Sequence, residues 1–453
     1  MSQGFLTEEQ REQLERMLGA DHNERWQRCA RLLLLYDGGQ PTRQVARSVG
    51  LSRSRTRYWR QQFLARGMAV FPGYAQPAVH ETQPAPESRM ESGPAEIAST
   101  PVGEQGGKSP QPETEPSSEG TLAADAWLLF IQAARALAAP GVLPDDPLAE
   151  AGRKVLRYHF GRMLLHEEGT RLGEDIEELH DMRVATRRMR AAIEVFADAF
   201  EPKTIGPHLK GLRQTGRALG RVRDLDVFLD KAENYLRAQS PELDPGLQPL
   251  LNAWRRERES SQGGLLAYLE GEKYRSFKLK FHEFVQTPGA GARQPAKNGP
   301  APRLVREIAP ALIYTRLASV RAFDAILENA SIEQLHALRI ELKKLRYTVE
   351  FFREVLGNTA SAVINDIKKL QDHLGDLNDA QVATELLKDF LTQWDEQQTS
   401  RPLLERQNPQ AIMAYLAYQY EQRHHLMRTF QEVWSYFIRP EFRYNLALAV
   451  SAL

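Results

Sequence analysis

The chain has 453 residues, 42% of them hydrophobic, and 59 Lys+Arg balance 59 Asp+Glu. That length exceeds one small core and predicts two or three domains, and zero net charge means that a polyanion site must come from local segregation of charge. A single cysteine, Cys29, excludes an intrachain disulfide and suits a reducing cytosol. No signal peptide opens the chain, and the most apolar run, around Ala126 to Ile131, is far shorter than the ~20 residues of a membrane span.

Residues 7 to about 70 read as helices. Thr7-Glu-Glu-Gln10 has capping-box form, and Leu14 with Leu18 continues an apolar face. Arg25 to Tyr36 is a second helix, stopped by Asp37-Gly38-Gly39. Val45, Val49, Leu51 and Trp59 are apolar where two crossed helices must touch. Ala46 is small at their close approach, Gly50 makes the turn, and Ser52 caps the helix that follows. Residues 25 to 67 resemble the helix-turn-helix of homeodomain-like transposase and regulator modules. The resemblance implies that the second of these helices reads duplex DNA through Arg53, Arg55, Arg57 and Arg60. A small trihelical partner domain with a solvated arginine face is the other reading of the same shape.

Residues 73 to 120 hold eight Pro, eight Glu and no Asp, against Arg89 and Lys108 alone. Such composition cannot bury enough surface to offset its ordering entropy, so a disordered linker is expected. Its Gly106-Gly107-Lys108-Ser109 is not a P-loop, because Val102 stands where glycine is needed and no strand precedes it. Residues 121 to 146 read as a connecting helix and loop, the helix ending at Pro140-Gly141.

From Pro147 on, helices follow one another. The first runs to about Gly169 with Pro147 in its first turn and carries Arg153, Lys154 and Arg157. A basic helix spans about Ile176 to Phe200. The next, Ile205 to about Gly220, carries Lys210, Arg213 and Arg217, with Arg221 and Arg223 at its end. Between His180 and Asp224 there are ten Lys/Arg against five Asp/Glu. Long helices reach about Val285, and a Gly/Pro-rich loop covers 287–302. A second half then repeats the order: a helix from about Arg303 with Arg306, Arg316 and Arg321, a helix around His336, one with Lys368 and Lys369, and long closing helices. Phe430, Trp434 and Phe437 fall at core spacing. No β-rich segment occurs, so the expected class is all-α.

Two stretches answer each other. His180-Asp-Met-Arg183-Val-Ala-Thr-Arg187-Arg188-Met-Arg190 is echoed by His336-Ala-Leu-Arg339-Ile-Glu-Leu-Lys343-Lys344-Leu-Arg346. At about 100° per residue, offsets zero, three, seven and ten from each histidine fall on one stripe. Each helix therefore presents an imidazole and a ladder of cations. Val184, Met189 and Ile193, then Leu338, Ile340, Leu342 and Leu345, supply apolar contacts. Leu219-Gly220-Arg-Val-Arg223-Asp224 is likewise echoed by Leu374-Gly375-Asp-Leu-Asn378-Asp379, and the His-to-Leu spacing is 39 and 38 residues. Two motifs at matched separation indicate an internal duplication of a four-helix unit.

These residues resemble the CHAD domain, the conserved-histidine α-helical domain, over about Pro147 to the C-terminus. The resemblance implies two pseudo-symmetric four-helix bundles, residues 147–286 and 303–453, around a basic channel that binds inorganic polyphosphate. It also implies a place at polyphosphate granules in the cytoplasm. Asn378 in place of Arg223, and Lys343-Lys344 in place of Arg187-Arg188, depart from exact repetition. The lysines keep the charge and lose bidentate geometry. Rows of Arg and Lys can hold phosphates without catalytic machinery, and a bound polyanion favours charged His180 and His336. No Cys or H-E-x-x-H set completes a metal site around those histidines. Asp181, Asp224 and Asp379 suit orienting arginines or capping helices, and the Glu-x-Glu-x-Lys strand of triphosphate-hydrolysing tunnel domains is absent. Non-catalytic polyphosphate binding without a cofactor is thus the expectation. The runner-up is a DNA-binding regulator whose helical domain senses an acidic ligand or protein.

Overall fold

The computed structural model describes residues 5–19, 24–50, 56, 59–60, 63–64, 67–71, 127, 129–238, 244–294 and 303–453. Two compact units divide the chain, Met1–Ala126 and Trp127–Leu453.

In the first unit, α1 (Glu8–Arg16), α2 (Glu24–Asp37) and α3 (Thr42–Val49) surround a small core. The capping box forms as read: Thr7 Oγ1 accepts from Gln10 N at 3.2 Å, and Gln10 Oε1 accepts from Thr7 N at 3.1 Å. Gly39 and Gly50 follow α2 and α3 with φ of 78° and 67°, the left-handed conformation that glycine adopts without a Cβ clash. Leu14, Leu32, Leu33 and Val45 are fully buried beside Trp59 and Phe63. Trp26 meets Trp59 and Phe71 edge-on, each at 5.7 Å between centroids. The proposed DNA-reading residues Arg53, Arg55 and Arg57 lie outside the described residues, as does the segment 73–120. Arg60 is exposed, and its guanidinium stacks over the Phe5 and Tyr36 rings at 5.4 and 5.0 Å.

The second unit is all-α. Its helices are α4 (Leu148–Leu165), α5 (Glu167–Leu172), α6 (Ile176–Val195), α7 (Pro202–Ala238), α8 (Asp244–Glu270), α9 (Glu272–Gln286), α10 (Val305–Arg321), α11 (Ile332–Phe351), α12 (Ala360–Thr399), α13 (Gln410–Phe437) and α14 (Pro440–Val450). Two isolated bridges, Pro147 with Leu304 and Phe200 with Ala292, are the only β pairings among the described residues. Residues 129–136 form a further helix, whose Phe130 and Ala134 enter the core against Phe160 and Gly161. The order α4-α6-α7-α8 recurs as α10-α11-α12-α13, and in each half the motif helix, α6 or α11, packs between its predecessor and its successor. The two motif helices also pack on each other, and both halves feed one apolar core that joins Met182 and Met189 to Leu338 and Leu345.

Several helix ends differ from the sequence expectation. The helix begun after Pro147 breaks at His166, and α5 ends at Gly173 with φ 68°. The basic helix stops at Val195, and a short 3-10 turn, Ala197–Ala199, follows. The Leu-Gly motifs, the first of them read as the end of a helix at about Gly220, lie inside helices of 37 and 40 residues, α7 and α12. Glycine in a helix is disfavoured by about 1 kcal/mol relative to alanine, which makes Gly220 and Gly375 look like stops. Packing overrides that preference. Leu212, Leu219, Val222 and Leu225 on α7, and Leu370, Leu374, Leu377 and Ala380 on α12, run a buried face through both glycines.

The Leu-Gly motifs instead mark a polar seam. Residues of α7 up to Val222 and of α12 up to Leu377 belong to the main core. From Leu225 and Ala383 onward the same helices join a second apolar cluster with Trp254, Trp394 and Tyr415. Arg223, Asp224, Asn378 and Asp379 sit between the two clusters.

Close packing elsewhere makes one glycine indispensable and another dispensable. A Cβ at Gly211 would lie 2.2 Å from Phe277 Cδ2 on α9, whereas one at Gly375 meets nothing within 4 Å. Gly211→Ala is expected to destabilise the fold by ~1–3 kcal/mol through overpacking. Gly375→Ala should stabilise it by up to ~1 kcal/mol through helix propensity. Urea midpoints of the two variants measure this, and equal shifts would contradict the packing.

Candidate anion-binding site

The stripe positions of α6 and α11 meet across their shared contact. Arg187, Arg190 and Glu194 from α6 face Ile340, Lys343, Lys344 and Tyr347 from α11, and with Arg213 of α7 and Arg316 of α10 they line a cavity of about 550 Å³. The steps of three and four residues along each helix put these side chains on one face. Ile193, Ile205 and Leu209 form an apolar wall behind the cations. Ile340, expected to join the core, is 41% exposed and lines this cavity instead.

Like charges crowd here. Burial and then Arg339, Arg187, Arg346 and Arg183 push Lys343 down to about 7, so the largest charge effects on it are cationic. Burial also lowers Arg183, opposed by Asp224 and reinforced by Arg187, Arg223 and Arg190. Arg339 is lowered by burial, with Asp379 opposing and Arg187 adding from the other half. Arg190 is lowered by burial and by Arg213 and Arg217, against Glu194. These three arginines stay charged at neutral pH because the guanidinium is so basic. Arg187, Arg339 and Arg346 each keep a buried Nε without a protein partner.

The two histidines differ. Burial, then Arg223, lower His180 to about 4, with Asp181 only partly opposing, so its ring is neutral at pH 7. His336 shares a 2.7 Å hydrogen bond with Asn378. The Arg223/Asn378 departure between the repeats thus decides what each imidazole faces. Among the described residues no group of three His, Cys, Asp or Glu could hold a metal ion.

The seam carboxylates serve the cations. Asp224 accepts from Arg183 at 3.2 Å, and Asp379 accepts from Lys231 at 2.9 Å. Arg188 turns away from its neighbour Arg187 and bridges the halves to Glu350 at 3.2 Å. Burial, then Arg188 and Arg162, hold His159 neutral, near 3. Arg346 lies 3.8 Å from the same Glu350. Lys344 lines the cavity but pairs with Glu341 at 2.8 Å and Glu194 at 3.7 Å.

Several other sequence candidates pair with carboxylates outside the cavity. Lys154 binds Asp146 at 2.7 Å, Arg306 pairs with Asp145, and Arg221 reaches Glu257 at 3.0 Å. Lys369 pairs with Asp366 at 3.3 Å and lies 4.7 Å from the Tyr436 ring. Arg157 is half-buried on α4, while Lys210 and Lys368 are exposed. Arg213 and Arg217 are exposed beside Arg190, and Arg223 lies by His180. Aligned on Gly220 and Gly375, Arg217 and Arg221 correspond to Asp372 and Asp376, so α7 is basic where α12 is acidic. The cationic surface therefore leans toward the first half. Arg316, Tyr347 and Lys231 were not singled out by the repeated motif. Only the packing of α10 on α11 brings Arg316 to the cavity.

The CHAD domain family model matches residues 154–388. Two uncharacterized proteins of Mycobacterium tuberculosis, from strains CDC 1551 / Oshkosh and ATCC 25618 / H37Rv, are each 28% identical over 258 residues, 55% of this chain and 47% of theirs. The chain spans about half the length of the curated relatives it matches. Among solved structures, the CHAD domain from the plant Ricinus communis is 22% identical with a TM-score of 0.47, covering 69% of this chain and 94% of that one. PptA from Streptomyces chartreusis is 15% identical with a TM-score of 0.47, covering 64% of this chain and all of that one.

Proposed function

The chain belongs to the CHAD domain family, and from that premise we propose that the helical unit binds inorganic polyphosphate, without turning it over, in the cavity between α6 and α11. One observation carries this reading. Arginines from both halves surround Lys343 and are the largest charges acting on it. Such a cluster is unfavourable by itself and becomes favourable when a chain of phosphates threads it. Arginine forks match phosphate oxygens two at a time, and the apolar wall behind them focuses the field. The buried Nε groups of Arg187, Arg339 and Arg346 are donors suited to phosphate oxygens.

Binding without hydrolysis is supported by what the nearby carboxylates do. Asp224, Asp379 and Glu350 each hold a cation, and although Asp224 and Asp379 lie near enough to act on each other, no group of three possible metal ligands occurs among the described residues. Phosphoryl chemistry would ask them to position a metal or a water. Recruitment to polyphosphate granules follows as part of the same proposal. No helix among the described residues is long and apolar enough to cross a membrane.

A titration of the full chain with long polyphosphate, against single-stranded DNA of equal charge, tests the reading. Polyphosphate should bind more tightly, its affinity should fall with salt as counterions are released, and no phosphate should appear in the presence of divalent metal. Equal affinity for both polymers would reduce the site to nonspecific attraction. Steady phosphate release would make the protein an enzyme.

A further inference from the structure

Lys343 stands apart from the other cavity lysine. Lys344 is engaged by Glu341 and Glu194, whereas Lys343 is ringed by arginines and opens onto the cavity. We propose that Lys343 is a covalent modification site, acylated on Nζ by acyl phosphates drawn into the cavity by the surrounding arginines. The proposal rests on the cavity gathering phosphate anions, the reading given under Proposed function.

The step balances without a further reagent. The Nζ lone pair attacks the carbonyl carbon of the mixed anhydride and a C–N bond forms. The C–O bond to phosphorus breaks, the phosphate leaves with that electron pair, and the amine proton passes to phosphate or solvent. An amide and inorganic phosphate result. The reagent needs a neutral amine and a cationic pocket in one place, two conditions that ordinarily exclude each other.

The geometry supplies both. Arg339 and Arg346 flank Lys343 on α11, and Arg183 and Arg187 face it from α6. Arg190, Glu194, Lys344, Arg213 of α7 and Arg316 of α10 line the same cavity, where Glu194 is the one carboxylate. Guanidinium groups hold the phosphate and remain charged while the amine gives up its proton. With Lys343 lowered to about 7, roughly half its amines are neutral at pH 7, against about 1 in 3,000 for an ordinary lysine. The weaker basicity also reduces intrinsic nucleophilicity, which offsets part of that gain. Acylation would delete a charge and narrow the cavity, so it would oppose polyphosphate binding. Bound polyphosphate would in turn protonate and cover the amine.

Acetyl phosphate, and separately the neutral donor N-acetoxysuccinimide, are incubated with the full chain at pH 7.5, with and without long polyphosphate. Acetylation at each lysine is then followed by mass spectrometry. Lys343 should be labelled at least about tenfold faster than Lys344 by both donors, polyphosphate should suppress the labelling, and labelling should slow as pH falls below 7. Lys343→Arg should remove this label without accelerating Lys344. Labelling of Lys343 no faster than Lys344 by either donor overturns the proposal. Selective labelling by the neutral donor alone overturns it together with the anion-gathering reading. Selective labelling by acetyl phosphate that polyphosphate leaves unchanged upholds the modification site and counts against polyphosphate as the occupant.

Discussion

Arg187→Glu is expected to weaken polyphosphate binding on the order of a hundredfold, while Arg188→Glu chiefly destabilises the fold. The two residues are adjacent in sequence but point to different tasks. Arg187 lines the cavity, keeps a buried Nε free of protein partners, and acts on both Lys343 and Arg339 of the other half. Its reversal removes charge-assisted contacts worth ~1.5–3 kcal/mol and adds repulsion, and each 1.4 kcal/mol is about tenfold. Arg188 is 35% exposed and pairs with Glu350, itself 16% exposed, across the two halves. Breaking a fully buried pair costs about 3–5 kcal/mol; solvent at Arg188 lowers the expectation to ~1–2 kcal/mol of stability. Arg255→Glu is the surface control, because Arg255 is 44% exposed, pairs with exposed Glu233 and hydrogen-bonds Asn252. Isothermal titration and thermal melts separate the three variants. Equal affinity losses from Arg187→Glu and Arg255→Glu would mean that net charge, rather than the cavity, holds the ligand.

Lys343→Met should raise stability and lower affinity together. The folded lysine titrates near 7 against an ordinary 10.5. Below 7 the amine is charged in both folded and unfolded chains, and the fold bears the full repulsion. As pH rises toward 10.5 the folded amine is neutral and the penalty fades. The stabilisation by Met should therefore be on the order of a few kcal/mol below pH 7 and vanish near pH 10.5. Such a trade of stability for function is expected where a site gathers like charges. Binding reverses the sign of the local field. Polyphosphate should return Lys343 to its charged form, so wild-type binding takes up about half a proton here at pH 7 and close to one between pH 8 and 9, and affinity declines as pH rises from about 7. Titration calorimetry in buffers of different ionisation heat reads the uptake. An unchanged uptake in Lys343→Met would place the proton elsewhere, with His180, lowered to about 4 in the free site, as the next group to examine.

By itself the sequence determined the helical class, the duplicated order of helices and the identity of the two cation-bearing stripes. These are local and periodic signals. A stripe follows from spacing at 3.6 residues per turn, and a duplication follows from two motifs at matched separation. The capping box at Thr7 and the left-handed turn at Gly50 were legible for the same reason, since each is settled within a few residues. What the tertiary structure decided was which cations share a space and which are already neutralised. Lys154, Arg221, Arg306 and Lys369 match the cavity cations in type but find carboxylates on nearby segments. Arg316, outside the motif, is brought to the cavity by the packing of α10 on α11. The continuity of α7 and α12 through Gly220 and Gly375 was hidden because glycine's weak local preference is overridden by burial along tens of residues. The charge state of Lys343 was hidden too. It depends on burial and on arginines from both halves, which only the packing of α6 on α11 brings within reach of one amine.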